Sequence, residues 1–239
     1  MESLSGKVIL VTGAARRIGR GIALRLAREG ARVAIHYNGS ESEARQTAAE
    51  CGGAPIFKTN LEDVSDIVRL FERIREHFGR LDGLVNNAAR FTAFDPMDIT
   101  EADWDFIHNV NLKATFFCCQ QGAKLMREHG GGRIVNISSL GGIRPWAEHV
   151  HYCASKAGVI MLTRALSKAL APEITVNSVA PGVISFGESS ARIDSMIRAT
   201  PANRAGTADE IADAAVYFLS ATNFVTGQLI AVDGGLSQR

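Results

Sequence analysis

The sequence predicts a single doubly wound α/β unit, a parallel sheet with helices on both faces. Three observations predict it. Short apolar, largely β-branched runs alternate with longer segments of helical period along the whole chain. No linker, internal repeat or low-complexity tract interrupts the alternation, so residues 1–239 read as one domain. The first strand-like run, Val8 to Val11, is apolar at every position. That pattern marks a strand buried on both faces, as in parallel sheets.

From Val8 the elements follow in order. A helix from about Gly19 to Glu29 puts Ile22, Ala23, Leu26 and Ala27 on one face, with Gly30 just past its end. Arg32 to Tyr37 is the second strand and Ser42 to Glu50 a polar helix. Pro55 to Lys58 is a short third strand. Asp63 to Phe78 is a helix turning Ile67, Leu70, Phe71 and Ile74 inward, and Leu84-Val85 begins the fourth strand. One long helix is expected from Glu101 to Glu128, opened by a capping box of Thr100 and Asp103. Gly130-Gly131-Gly132 stops it and feeds a strand from Arg133 to Ile137. Tyr152 to Leu170 is a helix, Thr175 to Ala180 a strand, Ala208 to Ser220 a helix, and Leu229 to Val232 the last strand. Strand–helix alternation implies right-handed crossovers, and ligands of such sheets lie beyond the carboxyl ends of the strands.

Composition excludes several classes. Lys plus Arg is 26 against 25 Asp plus Glu, a formal charge of +1 that offers no excess of cations for nucleic acid. The hydrophobic content is 46%, too high for a disordered chain, and no apolar run approaches the ~20 residues that cross a bilayer. Cys51, Cys118, Cys119 and Cys153 form no C-x-x-C pair, and His77, His108, His129, His149 and His151 show no ligand spacing. A reduced, cytoplasmic protein with no metal, no membrane and no nucleic-acid partner is expected, with these histidines at the surface or at helix ends.

The chemistry sits in the turns after the strands. Thr12-Gly13-Ala14-Ala15-Arg16-Arg17-Ile18-Gly19 joins the first strand to the first helix, where small residues admit a pyrophosphate to an uncapped helix N-terminus. The second strand ends Tyr37-Asn38-Gly39-Ser40, and the first acid, Glu41, lies beyond the turn. A carboxylate near the strand end would hold the ribose 2′-hydroxyl of NAD. Its absence, with Arg16 and Arg17 in reach, points to a 2′-phosphate and hence to NADP(H).

Tyr152 and Lys156 fall at i and i+4 on one helix face. A free phenol is only ~0.1% ionised at pH 7, and acid/base work near neutrality asks for its anion to be stabilised by about 3 units, about 4 kcal/mol. A partly desolvated Lys156 ammonium is the expected source. Ser139 ends a strand thirteen residues earlier, a loop away, and its hydroxyl can bind the oxygen that Tyr152 protonates.

These motifs together resemble the short-chain dehydrogenase/reductase family from Lys7 to Gly235. The matching residues are Thr12-Gly13 through Gly19, Asn86-Asn87-Ala88, Asn111, Ser139, Tyr152-x-x-x-Lys156, Pro181-Gly182 and Asp233-Gly234-Gly235. The resemblance implies a Rossmann-type sheet of seven parallel strands and a homotetramer packed through the helices beginning near Glu101 and Tyr152. It implies that Tyr152 is the general acid of a carbonyl or imine reduction, that Lys156 holds the nicotinamide ribose and lowers the phenol pKa, that Ser139 orients the small-molecule substrate and that Asn111 supports a proton relay. Asn60 and Leu61 would meet the adenine, Asn87, Ala88 and Ala89 the adenosine ribose side, and Pro181, Gly182 and Val183 the nicotinamide.

Within the family, Arg17 replaces a glycine common among relatives, and Ala14 through Gly19 followed by His36-Tyr37-x-x-Ser40 resembles the pteridine reductases. Phe91 stands where that branch stacks an aromatic ring on the pterin, and Arg17 would donate to it. Ser139, where that branch commonly has Asp, is the ordinary choice for a ketone, and Ala89 lacks a hydroxyl that some pteridine reductases present. A pteridine substrate is therefore the first expectation, a 3-oxoacyl thioester or other ketone the alternative, and an NADP(H)-sensing scaffold the non-enzymatic one. Ser185 to Ala202 is expected to form a short substrate lid.

Overall fold

A computed structural model describes residues 1–187 and 190–238 of the chain. The described residues form one parallel sheet of β1 (Val8–Val11), β2 (Arg32–Tyr37), β3 (Ile56–Lys58), β4 (Gly83–Asn86), β5 (Gly132–Ile137), β6 (Ile174–Pro181) and β7 (Leu229–Val232). Their order is β3-β2-β1-β4-β5-β6-β7, so the winding reverses between β1 and β4. The crevice at that reversal is where a doubly wound sheet binds its ligand.

The uniformly apolar strands have two faces to fill. From β1, Ile9 and Val11 pack with Ile22 and Leu26 of α1 (Arg17–Arg28), Ala44 and Ala48 of α2 (Glu41–Glu50), and Ile211, Ala215 and Phe218 from Ala208–Ser220. Val8 and Leu10 point the other way, to Ile67, Leu70 and Ile74 of α3 (Val64–Phe78) and to Cys118, Cys119 and Met126. The four cysteines are free thiols, and Cys118 and Cys119 are core residues.

The segment expected as one long helix is three pieces on a common path: α4 (Glu101–His108), a single π-helical turn (Asn109–Lys113) and α5 (Ala114–Arg127). The capping box is present as expected, Thr100 accepting from Asp103 N while the Asp103 carboxylate accepts from Thr100 N. A π-turn fits one extra residue into a helix, and such turns occur often at functional sites. Here Asn111 sits in the middle of it.

Beyond β5 lie α6 (Val150–Ala169), α7 (Ala191–Ala199) and α8 (Ala208–Ser220). In the expected lid, Glu188 and Ser189 lie outside the described residues. Ser190 caps α7 by accepting from Ile193 N, and no described residue of α7 is buried. Among the described residues, no helix is long and apolar enough to cross a membrane.

Two histidines expected at the surface or at helix ends are interior. His149 and His151 stand at the start of α6 as expected for helix ends, but both are buried. Thr92 explains it. His149 Nδ1 donates to the Thr92 carbonyl at 2.7 Å, and His151 Nε2 meets the Thr92 hydroxyl at 2.7 Å. One residue of the loop after β4 thus engages one nitrogen of each imidazole, while His149 Nε2 and His151 Nδ1 are buried with no partner among the described residues.

Candidate active site

The loop from β1 to α1 is tied to its neighbours by side chains that seek backbone. Thr12 Oγ1 accepts from Asn87 N at 2.9 Å and Ala88 N at 3.0 Å. Asn87 Nδ2 donates to Thr12 O at 2.9 Å and Gly13 O at 3.1 Å. Gly13 takes a left-handed φ of 63°, and a Cβ there would stand 3.0 Å from Ala88 Cα. The two loops approach so closely that glycine is needed.

His36, which sequence reasoning passed over, holds this loop from the other side. Its Nδ1 accepts from Gly13 N at 3.0 Å and its Nε2 donates to Thr59 O at 3.1 Å, joining the ends of β1, β2 and β3. Burial lowers its pKa to about 4. The folded protein therefore leaves the ring neutral down to about pH 4, whereas the unfolded chain takes up a proton below about 6.5. The stability contributed by neutral His36 is complete above pH 6.5 and is lost as pH falls toward 4, about 3 kcal/mol in all. Denaturant unfolding at pH 6.5 and pH 5 is expected to show His36→Gln losing about 2 kcal/mol less than the parent. Equal losses would contradict it.

Arg17 opens α1 with a left-handed φ of 54°, a conformation costing an L-residue about 1–2 kcal/mol. Its guanidinium lies 5.5 Å from the centre of the Phe186 ring, so the glycine loop and the lid segment meet through it. Arg16 at the N-cap position provides no side-chain cap, which leaves first-turn N–H groups for a ligand.

These loops surround an open cleft at the β1/β4 reversal. It is lined by Gly13, Arg16, Arg17, Ile18, Gly19, Tyr37, Asn38, Ser40, Asn60, Leu61, Asn87, Ala88, Ala89 and Tyr152, all expected cofactor residues. Gly39, Arg90, Val110 and Phe186 line it too and were not foreseen. Glu41, the first acid after β2, accepts from Arg45, which holds its carboxyl below the usual range. Pro181, Gly182 and Val183 lie apart from the cleft lining; Gly182 donates to Val232 O at 3.0 Å and packs on Asp233.

At one end of the cleft stands Tyr152, with the Ser139 hydroxyl close enough to favour its phenolate. Ser139 is oriented in turn, its Oγ accepting from Gly141 N at 3.0 Å. Lys156 is buried with Nζ donating to Ile137 O at 2.9 Å and 5.9 Å from the centre of the Tyr152 ring. Phe91 meets the Tyr152 ring edge to face at 4.7 Å and stacks on His149 at 4.4 Å, yet is 58% exposed. Trp146 lies parallel to the Tyr152 ring with centroids 6.2 Å apart.

Burial pushes the Tyr152 phenol up to about 12, and the neighbouring Ser139 hydroxyl opposes the shift. Burial brings Lys156 itself down to about 8. At neutral pH the pair is a neutral phenol beside an ammonium. The phenol thus holds the proton that an acid at this position has to deliver.

Asn111 is held inside the protein by its amide. Its Oδ1 accepts from Arg90 N at 2.7 Å, and its Nδ2 donates to Arg90 O at 3.0 Å and Ser155 Oγ at 3.1 Å. The amide is thus engaged at both ends within the protein.

The residues fit a dinucleotide cofactor on two observations. Adding a Cβ at Gly13 or Gly19 would fill the cradle, and the buried Lys156 ammonium, with three donors, gives one hydrogen bond to the described protein. No group of His, Cys, Asp and Glu among the described residues could hold a metal ion.

Comparison with known proteins places these features in context. A family model described as enoyl-(acyl carrier protein) reductase matches residues 13–237. The chain is 37% identical over 240 residues to the 3-oxoacyl-(acyl-carrier-protein) reductase FabG of Staphylococcus aureus, covering 96% of this chain and 98% of that one. Among solved structures, a variant of a short-chain dehydrogenase/reductase from Serratia marcescens superposes with a TM-score of 0.93 at 32% identity, over 99% and 100% of the two chains. Angucycline C-6 ketoreductase LanV with bound NADP gives 0.92 at 33% identity, over 100% and 98%.

Proposed function

Because the chain belongs to the short-chain dehydrogenase/reductase family, we propose that this oxidoreductase is an NADPH-dependent ketone reductase acting through Tyr152, Ser139 and Lys156. The observation that carries the reading is the placement of Tyr152 beside Ser139, with the buried Lys156 ammonium behind it, at one end of a glycine-walled cleft.

NADPH, when bound, supplies the hydride. The chain's part is to hold and protonate. The carbonyl oxygen enters between Ser139 and Tyr152, both of which donate to it. As negative charge develops there, the neutral phenol of Tyr152 releases its proton to that oxygen. Lys156, charged at neutral pH, stabilises the phenolate left behind and holds the ribose with its two remaining N–H donors. Asn111 keeps the loop after β4 in register with α6. Arg16, Arg17 and Ser40, which line the cleft, support a 2′-phosphate, and Glu41, the first acid after β2, lies outside that lining and pairs with Arg45. The NADP-bound ketoreductase neighbour supports the same choice.

A ketone takes precedence over a pterin. Ser139 is a neutral donor suited to a carbonyl oxygen, and the Staphylococcus relative, by its name, reduces a 3-oxoacyl thioester. The pterin reading stays second on the exposed ring of Phe91 beside Tyr152. The chain would act as one catalytic unit in a homotetramer, supported by the exposed Trp104 and Phe106 on α4 and Val150 and Met161 on α6.

Loss of dihydronicotinamide absorbance tests this with an acetoacetyl thioester and a dihydropterin, each with NADPH and NADH. The expected result is thioester reduction, with NADPH preferred about tenfold or more, as one or two charge-assisted contacts imply. Pterin reduction alone would move the assignment to the second reading. Tight NADPH binding without turnover of either would leave a cofactor-sensing protein.

A further inference from the structure

We propose that Ser155 is a positioning residue for Tyr152, its hydroxyl joining the π-turn at Asn111 to the first turn of α6. The proposal rests on the reading of Tyr152 as proton donor and adds the device that places it. Ser155 is fully buried. Its Oγ donates to Tyr152 O at 2.7 Å and accepts from Asn111 Nδ2 at 3.1 Å. Beyond Asn111 the chain of bonds runs to both backbone groups of Arg90, in the loop that lines the cleft after β4. Three segments distant in sequence are held through one hydroxyl.

A hydroxyl is the group this junction needs, since it must give to a carbonyl and take from an amide at once. The start of α6 has no side-chain cap from His149 and is tied to Thr92 through His149 and His151, but neither of those bonds reaches the Tyr152 carbonyl, which Ser155 holds. A small rotation of that first turn is carried along the side chain to the phenol and shifts it relative to the Ser139 hydroxyl beside it. Asn111 works here as a strut from the opposite element, and Ser155 carries its hold into the helix that bears Tyr152.

The test uses full-length protein labelled with carbon-13 at the tyrosine Cζ. Of the three tyrosine signals, the one missing from Tyr152→Phe is assigned to Tyr152. Ser139→Ala marks where that signal moves when the neighbouring hydroxyl is lost. Ser155→Ala is expected to move it in the same direction, to lower kcat for the acetoacetyl thioester about tenfold or more, and to leave KM for NADPH within about twofold. Ser155→Thr, which keeps the hydroxyl, is expected to restore both signal and rate. Should the alanine variant not fold, Ser155→Cys, a weaker donor of similar shape, takes its place. A Tyr152 signal that stays at the parental position in Ser155→Ala, while moving in Ser139→Ala, overturns the proposal. The signal needs no turnover, so a parent inactive on every ketone would refute the ketone reading and leave this comparison decisive.

Discussion

Replacing Gly19 with Ala is expected to weaken NADPH binding about a hundredfold, and Gly39→Ala is expected to leave it unchanged. Both glycines line the same cleft, so the contrast isolates geometry from composition. A Cβ at Gly19 would fall well inside contact distance of Gly13 O and 2.5 Å from Asn87 Nδ2, whereas one at Gly39 meets nothing within 4 Å. The atoms in the way at Gly19 are the cradle itself. Gly13 is held by Asn87 and by His36, so its carbonyl cannot withdraw without breaking bonds that fix three strand ends. Overpacking of this kind costs about 1–3 kcal/mol of stability, and misplacing a binding loop by about 1 Å costs on the order of 10²-fold in function. Titration of cofactor fluorescence with both variants measures the difference. Equal affinities would show that the loop does not hold the cofactor as described.

Much of the framework is legible in the sequence because it depends on local signals. The run Val8 to Val11 is apolar at all four positions, and the structure buries all four, two on each face. Thr100 and Asp103 announce a helix start three residues apart and form the reciprocal bonds. The cleft residues from Gly13 to Gly19 lie together because they are one turn of chain. What escaped reading depends on distant partners or on a single inserted residue. The π-turn at Asn109–Lys113 leaves the hydrophobic period of the flanking helices intact, so it reads as unbroken helix. His149 and His151 are buried by Thr92, 57 and 59 residues away, a pairing no local pattern contains. His36 sits one residue before Tyr37 in a strand, and only the meeting of three loops gives its ring both partners. The i, i+4 spacing places Lys156 near Tyr152, but the burial that raises the phenol pKa is a property of the assembled core and is not written in that spacing.

Tyr152→Phe carries the other large expectation. The substitution keeps the ring that packs on Phe91 and lies parallel to Trp146, so fold and cofactor site are expected to persist. It removes the one neutral acid positioned at Ser139. General acid catalysis is worth about 10²–10⁴ in rate, about 3–5 kcal/mol. Water is a poor substitute, because Tyr152 is only 9% exposed. The direct measurement is single-turnover hydride transfer to an acetoacetyl thioester from enzyme already loaded with NADPH, which separates chemistry from binding and release. A transfer rate about 10²–10⁴ below the parent, at unchanged NADPH affinity, is the predicted result. Transfer at the parental rate would contradict the account.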